Sequence, residues 1–269
     1  ISSTGCWTWG PLDNFVGAAK PSMVVVSLPT GMDYCNDGDA LVSEWRGTSA
    51  KVIWHVRHGE SEGNVAKHVA QALDETAGSD RRDHFEAYLA DPRYIDAPLS
   101  PEGVAQAKRA AEAVAVWKHT PTLIVASPMT RALQTASIIF EAQLKAGTAK
   151  LVIRPELREF FSRMQESRGR PIPELQACPR LQKYAPLQVA LREAQKEQWA
   201  TEWDRSLATG DAYVDHVESP TRIEEFRVWL ANRPERRIAT VSHWGTINNL
   251  LNREPWADAS GETRSGRVA

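Results

Sequence analysis

The stretch VRHGESEGN at 56–64 begins at the last residue of the apolar run VIWHV at 52–56. A short, continuous apolar run is typical of a β-strand that is buried on both faces. The strand therefore ends at Arg57 and His58, two polar side chains that core packing does not require. This arrangement indicates a functional site at the end of a strand in an α/β protein.

Three further runs resemble this strand, and helical patterns separate them. We predict strands at 51–56, 122–126, 150–154 and 237–242. Strands that alternate with helices are typical of a sheet with crossover connections. The predicted fold class is α/β, a three-layer αβα sandwich with a mostly parallel central sheet, a helical cap insertion and an N-terminal extension.

Three Ser-Pro pairs predict helix starts, because serine is a good N-cap and proline is tolerated in the first turn. They are Ser100-Pro101, Ser127-Pro128 and Ser219-Pro220. The helix after the second pair is expected to end near Gly147, a C-cap residue. The helix after the third pair is expected to turn one apolar face inward, formed by Ile223, Phe226, Trp229 and Leu230.

The remaining segments define the domain organisation. Residues 1–50 are predicted to be an extension, and 51–269 the main domain, with a strand-free segment at about 155–210 as a cap over the site. The tail 253–269 lacks the β-branched and aromatic run that an edge strand requires. Because an open sheet edge invites aggregation, we predict that MVVVSL at 23–28 pairs with the core sheet.

Composition excludes several functional classes. The 269 residues include 32 Lys+Arg and 34 Asp+Glu, so the net charge of −2 predicts no binding to nucleic acid or to an anionic membrane. The longest apolar runs are far too short to span a bilayer. The three cysteines are odd in number and far apart, which favours an intracellular location, in the cytoplasm or an organelle.

Polar residues cluster after the predicted strands: Arg57 and His58 after the first, Ser127 and Arg131 after the second, Glu159 after the third, and His243 after the fourth. The carboxyl ends of parallel strands form the usual ligand-binding edge of an α/β sheet. Guanidinium groups and a helix N-terminus bind phosphate oxygens. The pattern therefore predicts a pocket for a phosphoryl group.

Five segments in this order resemble the motifs of the histidine phosphatase superfamily, the phosphoglycerate mutase-like proteins. They are RHGE at 57–60, DAPLSPEG at 96–103, SPMTRALQT at 127–135, PELRE at 155–159 and VSHWGTIN at 241–248. The resemblance covers about residues 50–252 and identifies 51–269 as a histidine phosphatase-like catalytic domain.

The resemblance implies a role for each site residue, without a metal or other cofactor. His58 is the nucleophile that takes the phosphoryl group, and Arg57, Arg131 and His243 hold its oxygens. Glu159 protonates the leaving oxygen and then activates water. Gly59 is expected to let the backbone pass close to the phosphate. Two further substrate contacts are Asn64 and Trp244, where many members carry glycine in place of the tryptophan.

Some alternatives stay open at this point. Glu156 competes with Glu159 for the role of acid, and either carboxylate could instead pair with Arg154 or Arg158. A metal site of His55, His58, Glu60 and His243 is disfavoured, because the odd spacing of His55 and His58 on a strand turns them to opposite faces.

Three functions compete. The first is a phosphomonoesterase for a small phosphorylated metabolite. The second is a phosphoglycerate mutase, and the third is an inactive family member that serves as a structural subunit. The sequence after Glu159, FFSRMQESRGR, lacks the aromatic-glycine pair of the mutases, so the phosphatase is preferred. The sequence is also compatible with a homo-oligomer.

Overall fold

The computed structural model describes residues 23–28, 51–77, 82–159, 165–209 and 220–251. Within these ranges the strands form one five-stranded sheet: β1 (Met23–Leu28), β2 (Lys51–Arg57), β3 (Leu123–Ala126), β4 (Lys150–Ile153) and β5 (Arg237–Ser242). The strand order is β1-β2-β5-β3-β4. The four strands predicted for the main domain are confirmed, each with bounds within one residue of the prediction.

Four of the strands run parallel, and β1 is antiparallel to them. β2 pairs with β5 from Val52↔Arg237 to Arg57↔Ser242. β3 lies between β5 and β4 and is parallel to both. The carboxyl ends of the parallel strands therefore lie at the same edge of the sheet. The predicted catalytic residues come after these strand ends in the chain.

The strand β1 closes the side of the sheet next to β2. It pairs with β2 in antiparallel register from Met23↔Val56 to Leu28↔Lys51. The prediction that 23–28 joins the core sheet is therefore confirmed, and the extension at 1–50 contributes a strand. Its other residues, like the tail 253–269, lie outside the described ranges.

Both faces of the sheet are covered by helices. Alternate side chains of β2 point to opposite faces, because successive strand residues alternate. Trp54 belongs to the larger core cluster and Ile53 to the smaller one on the other face, where Phe226 and Leu230 also pack. This arrangement confirms the predicted three-layer sandwich.

The described helices are α1 (Glu62–Ala77), α2 (Asp83–Ala90), α3 (Pro101–Ala115), α4 (Thr130–Ile139), α5 (Glu141–Lys145), α6 (Ile172–Ala177), α7 (Pro179–Gln182), α8 (Ala185–Ala194), α9 (Gln198–Thr209), α10 (Pro220–Ala231) and α11 (Trp244–Leu250). Short 3-10 turns lie at Pro92–Tyr94, Pro155–Leu157 and Gln165–Ser167. In the part of the chain that the structure describes, no helix is long and apolar enough to cross a membrane.

Two of the three predicted helix starts agree with the structure. Ser100 caps α3, with its Oγ accepting a hydrogen bond from the Gly103 N–H at 3.0 Å. Helix α10 begins at Pro220, although its partner Ser219 lies outside the described residues. The helix after the second pair was predicted to continue to near Gly147, but α4 ends at Ile139. A separate helix, α5, ends at Lys145, and Gly147 follows it with a positive φ of 68°.

The start predicted at Pro128 is wrong. Helix α4 begins two residues later, at Thr130, and its side-chain cap comes from a distant residue. Asp96 accepts hydrogen bonds from the Thr130 N–H at 2.7 Å and from its hydroxyl at 2.5 Å. A cap that is 34 residues away in the chain leaves no local sequence signal.

The segment at 165–209 is helical, in agreement with the prediction that it lacks strands. Its helices share the larger core cluster, and α8 packs against the edge strand β4. This part of the chain therefore extends one helical layer of the sandwich. Its first turn, Gln165–Ser167, reaches the predicted site, and the role of the whole segment as a cap stays a prediction.

Candidate active site

The position of His58 follows directly from the end of β2. Its backbone N–H donates to the Ser242 carbonyl at 3.0 Å, which continues the pairing of β2 with β5. The side-chain Nδ1 lies 2.7 Å from the Gly59 carbonyl oxygen. Since a carbonyl oxygen only accepts, Nδ1 carries the proton. The lone pair of the ring is therefore on Nε2, which can act as a nucleophile.

Arg131 faces this nitrogen from the first turn of α4. Its Nε donates to His58 Nε2 at 3.2 Å, and its Nη1 donates to the Glu166 carbonyl at 2.7 Å. The side chain is almost fully buried. A guanidinium group only donates, so this contact independently requires an unprotonated Nε2 on His58.

His243 lies on the other side of the nucleophile, just after β5. Its ring centroid is 5.0 Å from that of His58. Its Nε2 lies 2.9 Å from the Ser127 Oγ, and its buried Nδ1 makes no hydrogen bond with any described residue. If Ser127 donates to Nε2, the proton of His243 is on Nδ1, which can then donate to a substrate oxygen.

Burial and positive charge keep both histidines neutral. Burial is the largest cause that lowers the pKa of His58 well below its usual value, and the charges of Arg131 and Arg57 lower it further. The pKa of His243 is also lowered well below its usual value, first by burial and then by Arg131 and His58. His58 is therefore in its nucleophilic form at neutral pH.

Arg57 and Asn64 are the two remaining residues predicted to contact the phosphate. Arg57 is exposed at the end of β2, and its charge acts on both histidines. Asn64 belongs to the cap of α1, where its Oδ1 accepts from the Ser61 N–H at 3.1 Å and its own N–H donates to the Ser61 Oγ at 3.0 Å. A substrate contact through the Asn64 amino group stays a prediction.

The two candidate acids have different environments. Glu156 forms an ion pair with Arg154, in which the Arg154 Nε donates to Glu156 Oε2 at 2.9 Å. Glu159 is only 6% exposed and follows the 3-10 turn at the end of β4. The ion pair leaves Glu156 poorly suited to proton transfer, and the role of Glu159 as the acid stays a prediction. Trp244 is half-buried at the start of α11, and its contact with a substrate stays a prediction.

Gly59 packs closely against the backbone of another segment, while its predicted role beside the phosphate stays a prediction. A Cβ atom at this position would lie 2.6 Å from the carbonyl oxygen of Gly103, in the first turn of α3. A Cβ on Gly103 would in turn overlap the Glu60 carbonyl. The two glycines therefore allow one backbone to pack directly on another, which fixes the loop after His58.

Asp96 is a site-supporting residue whose role the sequence did not reveal. It has a φ of 49°, an unfavourable backbone conformation for a residue other than glycine. This conformation aims its carboxylate at Thr130, the residue before Arg131. Burial raises the pKa of Asp96 to about 6, although the Thr130 hydrogen bonds and the Arg131 charge oppose this shift.

Glu166 is a second residue that sequence reasoning missed. Its backbone carbonyl holds Arg131, and its side chain lies against Gly63 at the start of α1, where a Cβ would overlap Glu166 Oε2. This oxygen is buried and makes no hydrogen bond with the described residues. Its charge also contributes, after burial, to the raised pKa of Tyr88. Glu166 therefore contacts the first turn of α1 through its side chain and Arg131 through its backbone.

The metal alternative does not fit the positions of the histidines. His55 points to the opposite face of β2, where its Nδ1 contacts the Thr240 Oγ1 at 2.7 Å. Burial lowers the pKa of His55 to about 4. Among the described residues, no group of three or more His, Cys, Asp or Glu side chains is arranged to hold a metal ion.

Three solved structures with related folds share 16–21% sequence identity with the chain. The ecdysone phosphate phosphatase from Bombix mori, in complex with tungstate, is 16% identical over 81% of this chain and 84% of its own, with a TM-score of 0.43. Phosphoglycerate mutase from Bacillus anthracis is 18% identical over 80% and 82%, with a TM-score of 0.40. A mycobacterial glucosyl-3-phosphoglycerate phosphatase in complex with VO3 is 21% identical over 73% and 78%, with a TM-score of 0.36.

No curated protein sequence matches the chain significantly. The family model of the histidine phosphatase superfamily (branch 1) matches residues 92–256, which is more than half of the chain. The match includes Arg131, Glu159 and His243, and the structure brings His58 from outside the matched range into contact with Arg131. The chain belongs to the histidine phosphatase superfamily.

Proposed function

We propose that the protein is a phosphomonoesterase that hydrolyses a small phosphorylated metabolite through a phosphohistidine intermediate on His58. The observation that carries this proposal is the fixed tautomer of His58. The Gly59 carbonyl takes the Nδ1 proton, and Arg131 donates to Nε2. Nε2 therefore has a lone pair that faces the Arg131 guanidinium group, with the His243 ring nearby.

The surrounding groups suit the charge of a phosphoryl group. Arg131 is directed at the nucleophilic nitrogen itself, so its N–H groups lie where the oxygens of a phosphoryl group on Nε2 would gather. Arg57 adds a second positive charge, and His243 offers a hydrogen bond from the opposite side. Phosphoryl transfer depends mainly on positioning and charge stabilisation, which these groups can supply without a metal ion.

The proposed reaction has two steps, formation of the phosphohistidine and its hydrolysis. His58 Nε2 attacks phosphorus, the ester P–O bond breaks, and Glu159 gives its proton to the leaving oxygen. The Glu159 carboxylate then takes a proton from water, the hydroxide attacks phosphorus, and the P–N bond breaks to release inorganic phosphate. Hydrolysis rather than transfer to a second hydroxyl is favoured, because FFSRMQESRGR lacks the aromatic-glycine pair of the mutases.

A rapid-quench experiment with ³²P-labelled phosphomonoesters tests the proposal. We expect a labelled protein that is labile to acid and stable to base, with the label on a peptide that contains His58. The His58→Ala variant should remain folded and show neither label nor turnover. His55→Ala is the matched control on the same strand, since His55 faces the opposite side of the sheet. Turnover by His58→Ala, or label elsewhere, would contradict the mechanism. Transfer of the label to a second substrate without phosphate release would identify a mutase.

A further inference from the structure

Thr135 is the last residue of the segment SPMTRALQT, and the reaction proposed above gives it no role. It lies on α4, one turn after Arg131, and only 1% of it is exposed. Its hydroxyl donates to the Arg131 carbonyl at 2.8 Å. A hydrogen bond to the carbonyl four residues earlier is common for threonine in helices, so this contact alone indicates no function.

A second contact of the same oxygen reaches the loop after the nucleophile. The Gly59 N–H donates to Thr135 Oγ1 at 3.1 Å, across 76 residues of sequence. A hydroxyl has one proton and two lone pairs. Since the Arg131 carbonyl takes the proton, a lone pair is left to accept from Gly59. One oxygen atom therefore connects the backbone of Gly59 to the backbone of Arg131.

The Gly59 N–H belongs to the peptide group that directly follows His58. The peptide group before His58 is held from β5, because the His58 N–H donates to the Ser242 carbonyl at 3.0 Å. The nucleophile is thus held on both sides along the chain, and Thr135 supplies the second contact. The next carbonyl, that of Gly59, accepts from His58 Nδ1 at 2.7 Å. The contact with Thr135 therefore also fixes the backbone that orients the ring.

Arg131 is held at both ends. Its carbonyl accepts from Thr135, and its Nη1 donates to the Glu166 carbonyl at 2.7 Å. Between these two points its Nε lies 3.2 Å from His58 Nε2, the nitrogen that attacks phosphorus in the proposed function. The contacts form a closed ring that runs from His58 through Gly59, Thr135 and Arg131 back to His58.

We propose that Thr135 is a positioning residue, whose hydroxyl sets the distance and direction between His58 and Arg131. This inference rests on the proposed function, because it concerns the formation of the phosphohistidine. The attack requires Nε2 to be in line with the ester bond while Arg131 holds the phosphoryl oxygens. A displacement of about 1 Å in such an arrangement lowers the rate by about a hundredfold.

Steady-state and rapid-quench kinetics of Thr135→Val test this role. Valine keeps the shape of threonine but has a methyl group in place of the hydroxyl, so the Gly59 N–H and the Arg131 carbonyl lose their shared partner. We expect kcat and the rate of His58 labelling to fall roughly tenfold to a hundredfold, with KM changed less than about threefold, because the groups that bind phosphate are still present. Thr135→Ser keeps the hydroxyl and should restore kcat to within about twofold of the wild type, since serine makes the same bonds.

Thr240→Val is the matched control. Thr240 is fully buried on β5, and its Oγ1 lies 2.7 Å from the Nδ1 of His55, which faces away from the site. The variant removes an equally buried hydroxyl, so it should lower stability in urea titrations by an amount similar to that of Thr135→Val and leave kcat unchanged. An equal loss of kcat in both valine variants would overturn the proposal.

Amide hydrogen exchange of the wild type gives a test that needs no variant. The Gly59 N–H should exchange slowly, and exchange at the rate of an unprotected amide would contradict its bond to Thr135. An unchanged kcat in Thr135→Val, or a Thr135→Ser variant as slow as the valine variant, would also overturn the inference while a labelled wild type upholds the proposed function. A wild type that forms no label on His58 would overturn the proposed function itself.

Discussion

The Asp96→Asn substitution should change how the stability of the protein depends on pH. Asp96 is 1% exposed, and its carboxylate binds the Thr130 N–H and hydroxyl at the start of α4. Asparagine has nearly the same shape and keeps one oxygen for the Thr130 N–H. The Thr130 hydroxyl can rotate to accept from the new amide. The substitution therefore removes the titration of residue 96 and preserves most of its packing.

The size and sign of the effect follow from the pKa of Asp96. Burial raises this pKa from 3.8 to about 6. Between these two values the folded protein holds a proton that the unfolded chain has released, so the free energy of unfolding falls as pH rises. The difference of about 2 pKa units corresponds to about 3 kcal/mol. This cost is absent below pH 4 and complete above pH 6.

Urea unfolding of the wild type and Asp96→Asn at a series of pH values measures this cost. The stability of the wild type relative to the variant should fall by about 3 kcal/mol between pH 4 and pH 7. The buried His58 and His243 have lowered pKa values, so they reduce the stability of both proteins as pH falls. Their contributions cancel in the difference. A difference that does not change with pH would refute the reasoning.

Three other substitutions have specific expected outcomes. Glu159→Gln should slow hydrolysis of an alkyl phosphate far more than that of an activated aryl phosphate, whose leaving oxygen needs little protonation; equal slowing would place the acid elsewhere. Ser127→Ala removes the hydrogen-bond partner of His243 Nε2, at a cost of about 2 kcal/mol, and should lower kcat/KM about 30-fold. Ser137→Ala is its control, since the buried Ser137 Oγ makes no hydrogen bond with described residues, and an equal loss there would contradict the role of Ser127. Gly103→Ala should lower the free energy of unfolding by about 3 kcal/mol in urea titrations, because the alanine methyl group overlaps the Glu60 carbonyl. Unchanged stability would argue against this close packing.

The sequence predicted the parts of the fold that depend on local patterns. The strands were recognisable because their apolar runs are short and bounded, and the site because polar residues follow them. Parallel strands bring their carboxyl ends to one edge whatever the details of the loops. The contact between Arg131 and His58 was therefore predictable without knowledge of the connecting segments.

Contacts between distant segments explain what the sequence did not reveal. The start of α4 depends on Asp96, and the position of Arg131 depends on the backbone of Glu166, 35 residues further along the chain. The close packing of Gly59 on the backbone of Gly103 was likewise not predicted. Neither a glycine nor a carboxylate carries a local signal for a partner in another part of the chain.

The site concentrates positive charge around two histidines that must stay neutral. Arg131 is buried against a histidine and a backbone carbonyl, and neither of these contacts supplies a negative charge. Arg222 and Arg57 add to the potential at His243. A phosphoryl dianion on His58 adds negative charge beside these cations, and the energy gained there offsets the cost of holding them close together. The charges that keep His58 deprotonated as a nucleophile are therefore the same charges that favour its phosphorylated form, so one electrostatic arrangement serves both states of the residue.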